Sequence, residues 1–237
     1  MSHTTNEYGQ PVGQPLTDWQ PRPLPQRETL EGRYCRLEPL SVAQHGDALR
    51  HAYALAPDGR DWTYLFAGPF ANEAEWLSYA QQMESSCDPL HFAVIDLESR
   101  RAVGTLALMR IAPEHGVIEV GHVAFSPLLK RTRQATEAHF LLMRYAFEQL
   151  GYRRYEWKCD SLNAPSRRAA ARLGFQYEGE FRQAIVYRGR TRDTHWFSII
   201  DSEWPQVKQG FTRWLAADNF GADGQQRETL EALRQRP

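Results

Sequence analysis

The sequence predicts an α/β (α+β) fold, in which a mixed, mostly antiparallel sheet is flanked by helices on both faces. The main observation is a strand that leads directly into a helix. A β-rich run at residues 118–125 is stopped by Pro127, because proline has no amide hydrogen for a strand ladder. Apolar residues then recur at helical spacing over 138–150, and Gly151 follows at a position where helices commonly end.

A second unit of the same kind follows at residues 155–174. Asn163 is the expected cap of its helix, Pro165 lies in the first turn, and Gly174 ends it. The same reasoning predicts further strands at 32–37, 91–97, 102–110, 180–187 and 194–200, and helices that start near Ser41, Asn72, Glu203 and Arg227. Hairpin turns between the middle strands make most of the sheet antiparallel.

The chain of 237 residues is long for one compact α/β domain and short for two, so one domain with extensions is expected. Residues 1–27 are rich in proline and form a predicted N-terminal extension. Residues 28–220 form the predicted main domain. Residues 221–237 form a predicted C-terminal helical tail.

The composition excludes several classes of protein. With 42% hydrophobic residues and seven tryptophans, the chain is not a disordered one. A net charge of −1 gives no electrostatic reason to expect nucleic acid as a partner. No run approaches the roughly 20 apolar residues of a membrane span, and the N-terminus does not resemble a signal, so a cytoplasmic protein without membrane contact is expected. The three cysteines and scattered histidines lack ligand spacing, and no metal site is expected.

The turn at residues 130–136 is a candidate anion site. The first amides of a helix have no partner within that helix, and the positive end of the helix dipole lies behind them. Phosphate groups are common occupants of such termini. Many turns of this kind bind no ligand, so the turn alone is compatible both with a phosphate site and with a turn that binds nothing.

Short motifs after this turn form a recognisable set. They are Thr136-Glu137-Ala138, Asn163 with Ser166, Leu173-Gly174-Phe175, Glu178-Gly179, Arg182, Gly189, Arg192-Asp193-Thr194 and Glu203-Trp204. The set resembles the GNAT acetyltransferase superfamily, and within it the RimL-like branch of ribosomal-protein N-terminal acetyltransferases. The resemblance extends from about residue 32 to 205 and implies that 28–220 is a GNAT N-acetyltransferase domain.

The resemblance implies acetyl-CoA as the co-substrate. In this fold the strands near Phe125 and near 157–160 part, and the pantetheine arm lies between them. The implied cofactor-binding residues are the backbone groups of Val123 and Phe125, the turn residues Arg131, Thr132, Arg133, Gln134, Ala135 and Thr136, and Asn163 with Ser166. Unpaired strand edges need hydrogen-bond partners, which the amides of pantetheine supply.

The turn departs from the family pattern at two positions. Arg131 and Arg133 stand where glycines are common, although both still carry an amide. Without glycine, ordinary backbone angles and side chains directed away from the ligand are expected. The two arginines are alternatively able to reach the phosphate oxygens as charged donors.

Acetyl transfer to an amine needs a base and is helped by an acid. Glu119 is the first choice for the base, since a partly buried carboxylate has a raised pKa, and His122 is the second. Regular alternation places these two on opposite faces of the strand, so only one is expected to face the acceptor. An ion pair for Glu119 and a buried neutral imidazole for His122 are the structural alternatives. Ser166 is a candidate acid or a helix cap, with Tyr155 as a distant alternative acid.

Two functions follow from these residues. The first is N-acetyl transfer from acetyl-CoA to a primary amine, either a protein N-terminus or a small molecule, by direct attack. The second is an acyl-CoA-binding sensor or regulatory module without turnover. The aromatic loop with Trp62, Tyr64 and Phe66 either faces the acceptor or packs in the core. The acceptor amine is unspecified, and both a monomer and a homodimer are compatible with the sequence.

Overall fold

A computed structural model describes residues 3–236 of the chain. The strands are β1 His3–Thr5, β2 Pro11–Gly13, β3 Leu30–Glu31, β4 Cys35–Pro39, β5 Leu90–Asp96, β6 Arg101–Ala112, β7 Val117–Phe125, β8 Arg154–Asp160, β9 Gln176–Tyr187 and β10 Arg190–Ile200. The helices are α1 Val42–Ala54, α2 Glu73–Ser85, α3 Arg133–Arg144, α4 Ala164–Leu173, α5 Trp204–Trp214 and α6 Leu230–Gln235. The predicted order of strands and helices is found from β4 onward, whereas the short strands β1, β2 and β3 were not predicted.

Strands β3 to β10 form one sheet in the order β3-β4-β5-β6-β7-β8-β10-β9. Neighbouring strands are antiparallel except β7 and β8, which run parallel. The parallel pairing starts at Val117 opposite Arg154 and stops at Val120 opposite Trp157. Beyond this point β7 and β8 continue without pairing. The predicted mixed, mostly antiparallel and splayed sheet is therefore confirmed.

Each face of the sheet covers a hydrophobic cluster, because side chains alternate along a strand. Phe92 contributes to the larger cluster, which also contains α3 and α5 residues. Its neighbour Ala93 contributes to the smaller cluster, which contains residues of α1 and α2 such as Leu49 and Trp76. Burial of a side chain the size of Phe92 contributes about 1.5–3 kcal/mol to folding. The helices are thus fixed on both faces of the sheet, as the sequence predicts.

Helix α3 is attached to β4 through one buried carboxylate. The oxygens of Glu137 accept hydrogen bonds from the amides of Arg33 at 2.8 Å, Tyr34 at 2.6 Å and Cys35 at 2.7 Å. Glu137 is 3% exposed, so these bonds form away from water. Hydrogen bonds to a charged group are stronger than neutral ones. They hold the N-terminal half of α3 in place against β4.

Both chain ends contact the main domain. In the N-terminal extension, Trp19 Nε1 donates to the carbonyl of Glu114 at 2.8 Å, and Tyr145 Oη accepts from the amide of Gln26 at 2.8 Å. In the C-terminal tail, Leu230 and Leu233 of α6 belong to the larger hydrophobic cluster. The division at residues 27 and 220 stays a prediction.

Candidate active site

A cleft opens where β7 and β8 part, and its volume is about 1540 Å³. This exceeds the roughly 300–1,000 Å³ of ordinary small-molecule pockets, so the cleft has room for an extended ligand and a second molecule. Its walls are the first turn of α3, the ends of β7 and β8, the start of α4 and the loop between α1 and α2. The cleft is lined by all the predicted site residues, namely Glu119, His122, Val123, Phe125, Arg131, Thr132, Arg133, Gln134, Ala135, Thr136, Asn163 and Ser166.

The start of α3 presents unpaired backbone amides to this cleft. Thr132 caps the helix, since its Oγ1 accepts from the amide of Ala135 at 3.2 Å. The amides of Arg131, Arg133 and Gln134 make no hydrogen bond within residues 3–236. Together with the helix dipole, such amides favour an anion. The turn therefore has the geometry of the predicted anion site.

The backbone of this turn differs from the expectation of ordinary angles. Arg131 has a φ of +63°, which is the left-handed region that favours glycine. Arg131 thus has the backbone conformation of the glycine that is common at this position in the family. Arg131 is exposed, whereas the guanidinium of Arg133 stacks over Tyr34 at 4.6 Å and Phe220 at 4.8 Å. The Arg133 side chain is held by these rings.

A β-bulge in β7 changes the direction of His122. Ala107 of β6 pairs with Gly121 and Thr105 pairs with Ala124, so two β7 residues lie opposite one β6 residue. His122 is the first of these two and has a φ of +48°. Its ring packs against His91, with 5.0 Å between ring centroids.

The bulge brings Glu119 and His122 to the same face. His91 pairs with Ala107, which pairs with Gly121, so these three residues share one side of the sheet. Glu119 lies two residues before Gly121 and therefore shares that side. The expectation of opposite faces was wrong, because regular alternation does not hold across a bulge. Both side chains line the cleft.

Glu119 is buried and paired with a lysine. Lys158 Nζ lies 2.7 Å from Glu119 Oε2, and Arg110 Nε lies 3.4 Å from the same oxygen. Burial raises the pKa of the Glu119 carboxyl, and Lys158 opposes part of this rise. The other oxygen, Oε1, has no hydrogen bond within the part of the chain that the structure describes. Glu119 thus has an elevated pKa and one oxygen without a protein partner.

Lys158 is a cleft residue that the sequence analysis missed. It follows Trp157, the last β8 residue paired with β7, and it also contacts Glu156 Oε2 at 2.7 Å. Its ammonium lies 3.8 Å from the ring centroid of Trp196. The signal was the Glu156-x-Lys158 alternation on a strand predicted to lie beside Glu119.

The histidines beside the bulge are neutral groups. Burial lowers the pKa of His122 below its usual value. The pKa of His91 is lowered to about 3, mainly by burial and further by His122 and Arg27. An imidazole that is neutral at pH 7 is able to accept a proton.

The second strand-helix unit contributes Asn163 and Ser166. Asn163 Oδ1 accepts from the amide of Ser166 at 3.1 Å and so caps α4. Ser166 Oγ accepts from Trp157 Nε1 at 3.0 Å, which ties it to the end of the parallel pairing. Tyr155 is fully buried in the larger hydrophobic cluster and does not line the cleft, so the alternative acid was wrong.

The aromatic loop between α1 and α2 has one ring packed in the protein and one ring exposed at the cleft. Trp62 is buried and meets Tyr53 edge-on at 5.3 Å. Tyr64 Oη donates to the carbonyl of Leu162 at 3.2 Å. Phe66 is 61% exposed, and its ring lies 5.6 Å from that of Tyr187. Trp62 is a packing residue, while Phe66 forms part of the cleft surface.

Two other kinds of site are absent from the described residues. Within residues 3–236, no group of three or more His, Cys, Asp or Glu side chains is arranged to hold a metal ion. No helix of the described chain has both the length and the apolar character to cross a bilayer.

Several bacterial proteins are similar to this chain in sequence. The family model of the acetyltransferase (GNAT) domain matches residues 35–176. The chain is 27% identical over 113 residues to YnaD of Bacillus subtilis and 32% identical over 117 residues to p20 of Bacillus licheniformis, both described as uncharacterized N-acetyltransferases. The matched regions span 48% of this chain in each case, and 65% and 63% of these two relatives.

Solved structures are similar to this chain over a larger share of its length than these two relatives. A GCN5-related N-acetyltransferase from Brucella melitensis is 52% identical, with a TM-score of 0.91 over 92% of this chain and 99% of that one. A probable GNAT acetyltransferase from Chromobacterium violaceum is 42% identical, with a TM-score of 0.76 over 83% and 98%. RimL, described as a ribosomal L7/L12 alpha-N-protein acetyltransferase, shares the fold at 18% identity and a TM-score of 0.62 over 76% and 98%.

Proposed function

Because this chain belongs to the GNAT acetyltransferase family, we propose that it transfers the acetyl group of acetyl-CoA to a primary amine by direct attack. The proposal rests on one observation. Unpaired amides at the start of α3, an unpaired strand edge and a buried carboxylate meet in one cleft. These are the parts that hold a thioester co-substrate and remove a proton from an amine.

Acetyl-CoA fits the cleft through backbone groups. The pyrophosphate would accept hydrogen bonds from the free amides of Arg131, Arg133 and Gln134, where the helix dipole favours an anion. The pantetheine arm would lie along the unpaired edge of β7 at Val123 and Phe125. Asn163 and Ser166 would border the arm from α4. Side chains contribute little to this binding, so arginines at glycine positions are compatible with it.

Glu119 is the proposed base. Its raised pKa brings the carboxylate closer to neutral pH, where a base is most effective, and Oε1 is available to an amine proton. The amine nitrogen forms a bond to the acetyl carbon, the carbon–sulfur bond breaks, and coenzyme A leaves as a thiolate that takes up a proton. His122 is the second candidate for the base, because it is neutral and lines the same face.

Ser166 is proposed mainly as a positioning residue. Its amide and hydroxyl are both engaged, with Asn163 and Trp157 respectively, so it fixes the start of α4 against β8. Its hydroxyl hydrogen is still able to donate to the leaving sulfur.

The acceptor belongs to one of two classes, a protein N-terminus or a small-molecule amine. RimL is described as acting on a protein α-amino group, which makes a protein N-terminus a candidate here. The cytoplasmic location and the choice between monomer and homodimer stay predictions from the sequence.

A thiol-release assay with acetyl-CoA and a panel of amines tests the proposal. We expect release of coenzyme A with at least one amine, and a loss of about 100-fold or more in the Glu119→Gln variant. Glu180→Gln, which removes an exposed carboxylate on β9, is the matched control. Binding of acetyl-CoA without turnover on any amine would contradict the enzyme and favour a sensor module.

A further inference from the structure

Arg192 on β10 is a buried cation that forms no ion pair within residues 3–236. The residue is 8% exposed and lines the cleft. Its Nε donates to Thr194 Oγ1 at 3.1 Å, and its two terminal nitrogens make no hydrogen bond within residues 3–236. The rings of Phe66 and Tyr187 each lie 5.8 Å from the guanidinium carbon. The guanidinium is therefore oriented by its neighbours, while its terminal donors are left without protein acceptors.

The carboxylate on the facing strand is already engaged. Asp160 lies opposite Thr194, and its two oxygens accept from Tyr187 Oη at 2.8 Å and from the amide of Leu162 at 2.8 Å. Asp160 forms no ion pair with Arg192 among the described residues. Most of the Arg192 side chain is covered, but its terminal nitrogens are accessible from the cleft, so the guanidinium is presented to a ligand that supplies negative charge.

We infer that Arg192 forms a carboxylate-binding subsite for the acceptor, and that the preferred acceptor carries a carboxylate near its amine. The inference rests on the proposed acetyl transfer. The planar guanidinium matches a carboxylate with two parallel hydrogen bonds. Arg192 lies on β10 beside the rings of Phe66 and Tyr187, whereas the unpaired amides belong to the start of α3. Different elements thus form this subsite and the proposed pyrophosphate site.

Two classes of acceptor carry a carboxylate near an amine. One is the α-carboxylate of a free amino acid or a related small molecule. The other is an acidic side chain close to the N-terminus of a peptide. The shared feature is an amine and a carboxylate on one acceptor, and the choice of probes separates the two sources.

The test measures binding as well as turnover. Calorimetric titrations in the presence of coenzyme A compare L-amino acids with their carboxamides, and the peptides Ser-Asp-Ala amide and Ser-Asn-Ala amide. The variants are Arg192→Gln, which removes the charge, and Arg192→Lys, which keeps the charge but cannot donate two parallel hydrogen bonds to a carboxylate. Arg190→Gln is the matched control, since Arg190 is exposed on the same strand two residues away. Thermal unfolding of each variant establishes that it is folded.

We expect wild type to bind one class of carboxylate about 10- to 100-fold more tightly than the matching carboxamide. This preference should vanish in Arg192→Gln, be reduced in Arg192→Lys and persist in Arg190→Gln. Equal binding of acid and amide by wild type, or no binding of either, would overturn the inference. Because the comparison of acid with amide in wild type needs no variant, it stands even where Arg192→Gln does not fold.

The two proposals fail in different ways. Acetylation of amines with no preference for a carboxylate would remove the subsite and leave the acetyltransferase. Selective, Arg192-dependent binding of carboxylates without acetylation of any amine would keep the subsite and contradict the enzyme.

Discussion

Lys158 Nζ lies 2.7 Å from Glu119 Oε2 and 2.7 Å from Glu156 Oε2, so one buried ammonium joins two strands at the point where they part. Glu119 and Glu156 face each other in the parallel register of β7 and β8. Two carboxylates so placed repel each other, and the lysine offsets that repulsion. The proposed base is therefore held in place by the same charges that hold the strands together.

Replacement of Lys158 by Met should shift the pH dependence of catalysis. Lys158 lowers the pKa of Glu119, and burial raises it, so loss of the lysine leaves burial and Glu156 to raise the pKa further. A base works in its deprotonated form, so kcat/KM should rise with pH in wild type and reach its plateau at higher pH in the variant. A pH–rate profile measures this shift. An unchanged profile would argue against Glu119 as the base.

The same variant should be less stable, because two buried carboxylates lose their cation. Loss of one partner from a buried ion pair costs about 3–5 kcal/mol. Urea unfolding of Lys158→Met measures the cost. Lys208→Met is the control, since the Lys208–Glu148 pair is partly exposed and such pairs contribute about 0–1 kcal/mol. Equal losses in the two variants would contradict the burial argument.

Glu137→Ala should loosen the attachment of α3 to β4. The change leaves the amides of Arg33, Tyr34 and Cys35 without their acceptor. We expect the free energy of unfolding to fall by about 2–4 kcal/mol, since unsatisfied buried donors are costly. Denaturant unfolding measures this, with exposed Glu231→Ala as the control. A loss below about 0.5 kcal/mol, typical of surface positions, would refute the anchoring role.

Acid should destabilise the protein partly through buried histidines. Burial lowers the pKa of His91 to about 3 and, with a smaller effect of Arg172, that of His139 to about 3, from the usual 6.5. The unfolded chain therefore binds protons first, and stability present above pH 6.5 is lost as the pH falls towards 3. Each such histidine contributes a slope of up to about 1.4 kcal/mol per pH unit.

His139→Phe isolates one of these groups. His139 lies between the rings of Phe125 and Trp157, so an aromatic replacement keeps the packing. Urea unfolding between pH 7 and 4.5 should show a slope against pH that is smaller by about one proton than in wild type. The same slope in both proteins would mean that His139 does not titrate in this way.

Local patterns predicted the strands, helices and caps well. The helix start at Asn72, the Asn163 cap and the Gly174 terminus are all found in the structure. Such features depend on residues within one or two turns of each other. The family motifs also identified part of the cleft lining, including Asn163, Ser166 and the turn at the start of α3.

The features that were missed depend on contacts between distant segments or on local strain. His122 in the bulge and Arg131 in the turn both have a positive φ, which is usual for glycine. Because neither residue is a glycine, the sequence did not indicate this backbone conformation. The Glu119–Lys158 contact joins residues 39 apart in the chain. The unpaired state of Arg192 is visible only when its surroundings are known.

A proline at position 133 tests whether backbone amides at the start of α3 hold acetyl-CoA. Position 133 is the first residue of α3, where proline is well tolerated, and Thr132 has the extended angles that precede proline. Arg133→Pro removes the amide hydrogen, whereas Arg133→Ala removes only the side chain. Glu73→Pro, at the first residue of α2, is the control for proline itself.

Calorimetric titration with acetyl-CoA compares these variants. We expect a Kd about 10-fold or more higher for Arg133→Pro than for Arg133→Ala, and an unchanged Kd for Glu73→Pro. Equal affinities of Arg133→Pro and Arg133→Ala would show that this amide does not hold the co-substrate and would contradict the account.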